Sequence, residues 1–122
     1  MADTFSAALQ EHLSAIQARD AERFVRTLGR DVIVVDGKGV ITRGTAEVQA
    51  SHAAWFAMDA DWRFQYQIVA TRESSFFALA LLHVTYRHTA SEQPSRFLLS
   101  LVFERDKDGE FRFVYDQNTP LP

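Results

Sequence analysis

The sequence predicts an α+β fold in which three helices, all in the N-terminal half, pack on the concave face of a strongly curved, mostly antiparallel sheet. Three observations predict it. Apolar residues recur at helical spacing, at Phe5, Leu9, Leu13 and Ile16 and again at Val48, His52, Trp55 and Phe56. At Trp62 the period changes to two, with Trp62, Phe64, Tyr66 and Ile68 alternating against Arg63, Gln65 and Gln67. The last quarter reads as a hairpin of two long strands, residues 96–105 and 110–118, joined by Asp106-Lys107-Asp108-Gly109, where Gly109 is free to take φ > 0. Helices gathered on one side of a twisted antiparallel sheet close its concave face.

The first helix spans about residues 4–19, with Asp3 or Thr4 as its cap and Ala8 beside the apolar stripe. His12 lies in that stripe, either as a boundary histidine bonded to a neighbour or as a ligand contact. Asp20 is the N-cap of a short second helix, residues 21–28, which presents Phe24, Val25 and Leu28 and stops at Gly29. The β-branched run 32–36 is a short strand, Gly37-Lys38-Gly39 a turn, and 40–42 a second short strand. Asp36 closes the first strand, as a turn residue capping backbone amides or as a functional acid. Gly44-Thr45 opens the third helix, with Thr45 as a cap and Glu47 in its first turn. His52 again sits on an apolar face. After the strand from Trp62, Arg72-Glu73-Ser74-Ser75 turns the chain into a strand over residues 76–89, whose first half is apolar at both parities and so reads as buried on both sides. In the final strand Phe111, Phe113 and Tyr115 alternate with Arg112, Val114, Asp116 and Asn118, and the second set is expected to face the concave side.

The 122 residues suit one domain, spanning 1–122, large enough to bury its own core. A net charge of −3 offers nothing to nucleic acid or to an anionic membrane surface. There is no cysteine, hence no disulfide, thiolate nucleophile or Cys-based metal site. His83 and His88 fall on opposite faces of a strand and cannot share a metal, so no metal and no cofactor are expected. Residues 1–20 mix charged side chains into the apolar positions, and no apolar run approaches the ~20 residues that span a bilayer. A cytoplasmic location is the expectation.

The order helix, helix, two short strands, helix, four long strands resembles the cone-shaped superfamily named after nuclear transport factor 2, which includes ketosteroid isomerase, scytalone dehydratase and the SnoaL-like polyketide cyclases. Three stretches carry the resemblance: ARDAERFVRTLGRDVIVVDGKGVITRG, GTAEVQASHAAWF and FVYDQNTP, the last similar to the final strand of small bacterial members. The resemblance implies that Asp36 stands where the steroid isomerases keep a general base and His12 near where they keep a hydroxyl donor. Their second donor, an acid on the penultimate strand, would fall at Leu99, so this chain is no literal ketosteroid isomerase. Asp116 and Asn118 stand where small relatives carry polar side chains pointing into the cone.

These readings give an expected site of Asp36 as base with His12 facing it, and His52, Trp55, Asp116 and Asn118 as ligand contacts. The expected chemistry is isomerisation, dehydration or cyclisation by proton abstraction on a small hydrophobic carbonyl compound. The alternative is a domain that only binds a ligand or only assembles. A homodimer is expected, through the doubly apolar strand 76–82.

Overall fold

Thr4 is extended, and its Oγ1 accepts from the Ala7 amide at 3.2 Å, which starts α1 (Phe5–Gln17). Asp3, the other expected cap, lies outside the residues that the computed structural model describes, 4–122. α1 buries Phe5, Leu9, Leu13 and Ile16 together with His12. It ends in a Schellman turn: the Asp20 amide donates to the Ala15 carbonyl and the Arg19 amide to that of Ile16, both at 3.0 Å. Arg19 has φ 55°, a left-handed conformation that costs a side-chain-bearing residue about 1 kcal/mol. Its guanidinium offsets this by donating to the carbonyls of Ala60 and Trp62, each at 2.8 Å, and by lying 4.1 Å over the Trp62 ring.

Asp20 then caps α2 (Ala21–Arg26), accepting from the Arg23 amide at 3.1 Å. α2 stops short of the expected Leu28 because the next carbonyl, Thr27, accepts from the Phe113 amide at 2.8 Å. That bond draws Leu28 into β1 (Leu28–Val35), which also begins earlier than its β-branched run suggested. A turn with Gly39 at φ 84° leads to β2 (Ile41–Arg43). α3 (Gly44–Phe56) starts at Arg43 with no side-chain cap. Thr45 lies two residues too far in to cap it; its hydroxyl donates instead toward the Gly29 carbonyl at 3.0 Å, tying α3 to β1.

The long strands β3 (Arg63–Glu73), β4 (Phe77–Arg87), β5 (Ser95–Arg105) and β6 (Phe111–Pro120) follow as an antiparallel meander. The sheet has six strands in the order β2-β1-β6-β5-β4-β3, and β1 runs parallel to β6. The three helices cover its concave face. The core lies between, with Leu13, Phe24 and Val48 from the helices against Leu82, Leu101, Phe103 and Phe113 from the sheet. The strand expected to be buried on both sides is buried on one. Ala78, Ala80 and Leu82 are sealed, whereas Phe77 is 52% and Leu79 38% exposed on the convex face.

One irregularity decides what the cone contains. Phe113 pairs with Phe103 and Tyr115 with Val102, so Val114 is an extra residue, a β-bulge. The bulge switches parity. Phe111 and Phe113 point into the core before it, and Asp116 and Asn118 point inward after it. The expectation that Asp116 and Asn118 share a face with Val114 is therefore corrected, although both do face inward. Gly29 lies against the bulge: a Cβ there would meet Val114 Cγ1 at 2.8 Å and the Phe113 carbonyl oxygen at 3.3 Å. Gly29→Ala should accordingly force β1 away from β6 and cost about 1–3 kcal/mol in urea unfolding, more than an alanine at the open Gly39 position with its strained φ.

Candidate functional site

Where the helices leave the sheet uncovered, a cavity of about 740 Å³ opens. α3 contributes His52 and Trp55, and β3 to β5 contribute Phe64, Tyr86, Phe97 and Leu99. β6 supplies Asp116 and Asn118, and the β1–β2 turn supplies Asp36 and Lys38 at the rim.

Of the two residues expected to be catalytic, the structure brings only Asp36 to the cavity. Its Oδ1 accepts from the amides of Lys38 at 2.8 Å and Val40 at 2.9 Å, so Asp36 is an exposed turn cap. His12 does not border the cavity at all. It is 1% exposed, enclosed by Phe24, Phe103 and Phe113, with its Nδ1 2.8 Å from Thr27 Oγ1. Thr27 gives its own proton to the Phe24 carbonyl at 2.7 Å, so it accepts from His12 and the imidazole is a neutral Nδ1–H tautomer. Burial, with a smaller contribution from His52, pushes the His12 pKa down to about 3. The expected pairing of Asp36 and His12 across a cavity mouth is not formed.

The other four expected residues do meet. His52 Nδ1 lies 2.9 Å from the Val48 carbonyl, which can only accept, so Nδ1 holds the proton and Nε2 carries a free lone pair. The ring stacks on Phe24 at 4.3 Å. Burial lowers its pKa, against the Val48 hydrogen bond, and it stays neutral. Trp55 stacks on Trp62 at 4.6 Å, and its Nε1 donates to Tyr86 Oη at 3.1 Å, with His88 Nδ1 3.0 Å beyond. Asn118 donates to the Val35 carbonyl at 2.9 Å.

Asp116 is the unusual group. It is 7% exposed, and its Oδ1 has no hydrogen-bond partner among the described residues. Burial drives its pKa up to about 8, with the Val35 amide pulling weakly the other way. Across the β5–β6 ladder Asp116 pairs with Leu101, and Asn118 with Leu99. Tyr86, which was not singled out, is legible only through its parity with Val84 on β4.

The raised pKa makes a stability statement. The carboxyl ionises near 3.8 when unfolded and near 8 when folded, so wild-type stability falls as pH rises between these values. Asp116→Asn cannot ionise and should lose that slope. We expect the variant to match the wild type closely at about pH 4 and to exceed it by on the order of 5 kcal/mol at about pH 8, in urea unfolding. His12 works in the opposite direction in both proteins, costing stability below its unfolded pKa near 6.5, and cancels from the difference. A difference that does not vary with pH would show a paired, ionised Asp116.

No curated protein matches the sequence. Among solved structures, a provisionally assigned calcium/calmodulin-dependent protein kinase type II association domain of Thiobacillus denitrificans superposes with a TM-score of 0.84 at 21% identity, covering 98% of this chain and 96% of that one. A provisionally assigned NTF2-like dehydratase of Streptomyces avermitilis gives 0.80 at 15% identity, covering 96% and 93%. A ketosteroid isomerase-like protein of Erwinia carotovora atroseptica gives 0.78 at 14% identity, with the same coverage. These identities speak for the fold alone, the NTF2-like cone. The protein-family model of the SnoaL-like domain matches residues 6–118, nearly the whole of the chain, and the chain belongs to that family.

Proposed function

We propose that the cavity binds a small hydrophobic carbonyl compound and moves a proton on it, with His52 as the base first expected of Asp36 and Asp116 as the donor first expected of His12. The observation that carries this is the Asp116 carboxyl, buried with its Oδ1 unpaired among the described residues, on a residue that lines a ligand-sized cavity. Its high pKa keeps it largely protonated at neutral pH, so it donates to a carbonyl oxygen. His52 Nε2 is neutral and free to accept. In the reaction a C–H bond next to the carbonyl breaks, Nε2 takes the proton, and the electron pair moves onto the oxygen that Asp116 holds. The proton then returns to carbon. Trp55, Phe64 and Phe97 provide the apolar wall, and Asn118 Oδ1 is left as an acceptor. Among the described residues no cluster of three or more potential ligands could hold a metal, and no helix is long and apolar enough to cross a membrane.

The test is washout of the methyl protons of 2-acetonaphthone in D2O, followed by NMR. The protein should accelerate exchange, the rate should fall above about pH 8 as Asp116 loses its proton, and Asp116→Ala or His52→Ala should lower it at least ~100-fold. Binding without any acceleration would leave a pure binding domain.

We further infer that a second copy covers the convex face. Phe77 and Leu79 stand exposed there on a central strand, Leu81 and Val102 extend the patch, and a symmetric dimer buries the same patch twice. Light scattering should give about twice 13.9 kDa, and Leu79→Asp should give a folded monomer.

A further inference from the structure

The cavity is asymmetric in charge as well as in polarity. Lys38 and Arg96 both line it, and neither side chain has a hydrogen bond or ion pair among the described residues. The ionisable groups opposing them are few. Asp36 is the one lining carboxylate at the rim, and half of it is spent on turn amides. Asp116 is largely protonated and His52 is neutral, as above. A chain of net charge −3 therefore turns an electropositive mouth toward its cavity.

The two cations occupy one place in the fold. Gly37 abuts Pro120, where a Cβ would lie 3.3 Å from Pro120 Cγ, and this sets the Lys38 turn against the end of β6. Phe97 pairs with Pro120, and the Leu121 amide donates to the Arg96 carbonyl at 3.0 Å, which sets the start of β5 against the same end. Asp116 lies four residues back along β6, roughly 13 Å at the usual rise of a strand. Along that distance β5 presents Phe97, opposite Pro120, and Leu99, opposite Asn118, and Trp55 also lines the cavity; the ~13 Å is room for about two fused rings.

We propose that the ligand is an amphipathic anion: a carboxylate or like group held at the mouth by Lys38 and Arg96, an apolar body of about two rings, and a carbonyl at the far end against Asp116. This deepens the reading of the cavity given above and rests on it. Arg96 offers a planar fork to a carboxylate, and Lys38 adds a point charge that follows ligands of varied length.

Two probes of one shape test it, 6-acetyl-2-naphthoate and its neutral counterpart 2-acetonaphthone, titrated against the full chain by quenching of tryptophan fluorescence. The naphthoate should bind at least tenfold more tightly at low salt, and the advantage should shrink at high salt. The double variant Lys38→Ala, Arg96→Ala should lose most of that advantage and bind 2-acetonaphthone as the wild type does. Arg96→Lys should keep part of it. Equal affinity for the two probes, or an advantage untouched by the double substitution, overturns the anion assignment and leaves the cavity reading standing. If neither probe binds, the cavity reading falls and takes this inference with it.

Discussion

The contact between Gly29 and the bulge at Val114 is the constraint on which the site depends. It brings β1 against β6 where β6 carries one residue too many, and the parity change that follows turns Asp116 inward. Without the bulge, the inward positions beyond Phe113 would be Tyr115 and Gln117, and the cone would end in a large phenol in place of a small acid. Two elements far apart in sequence must both be right. β1 needs a residue without a side chain beside the bulge, and β6 needs the extra residue that makes it.

The chain contrasts two aspartates at neighbouring strand ends. Asp36 ends β1 and Asp116 lies near the end of β6, the strand beside it. Asp36 sits in water and accepts two turn amides, a situation that suits a carboxylate. Asp116 has lost its water without gaining a partner for Oδ1, a situation that suits a carboxylic acid. Burial alone separates a cap that shapes a turn from a carboxyl that keeps its proton. The two buried imidazoles make the same point with opposite sign. Each bonds through Nδ1, but His12 does so to Thr27 inside the core, whereas His52 does so to the Val48 carbonyl on a residue that lines the cavity.

The helices, the meander and the hairpin turn were legible because each is governed by local chemistry: a stripe every three to four residues, alternation, and Asp-x-Asp-Gly at a reversal. The end of α2 was not, because the Thr27 carbonyl is claimed by an amide on the last strand. Nor was the bulge. Phe111 to Asp116 alternates without a break in sequence, and only the pairing with β5 shows that Val114 has no partner. Of the cavity lining, His52, Trp55, Asp116 and Asn118 were legible from helical spacing and from their place on the last strand. The expected pairing of Asp36 with His12 was not formed for one physical reason. A polar residue on an apolar stripe announces burial, but its partner comes from elsewhere in the chain, as Thr27 does for His12.

β6 is the last strand in sequence, yet it lies between β1 and β5 in space. A chain that has emerged only as far as β5 has two unpaired edges, on β1 and β5, that must wait for the strand between them. Pairing Leu28 with Phe113 joins the two ends of the molecule, a late and entropically demanding step of folding. The same strand carries Asp116, so the sheet is completed and the cavity acquires its buried carboxyl in one step.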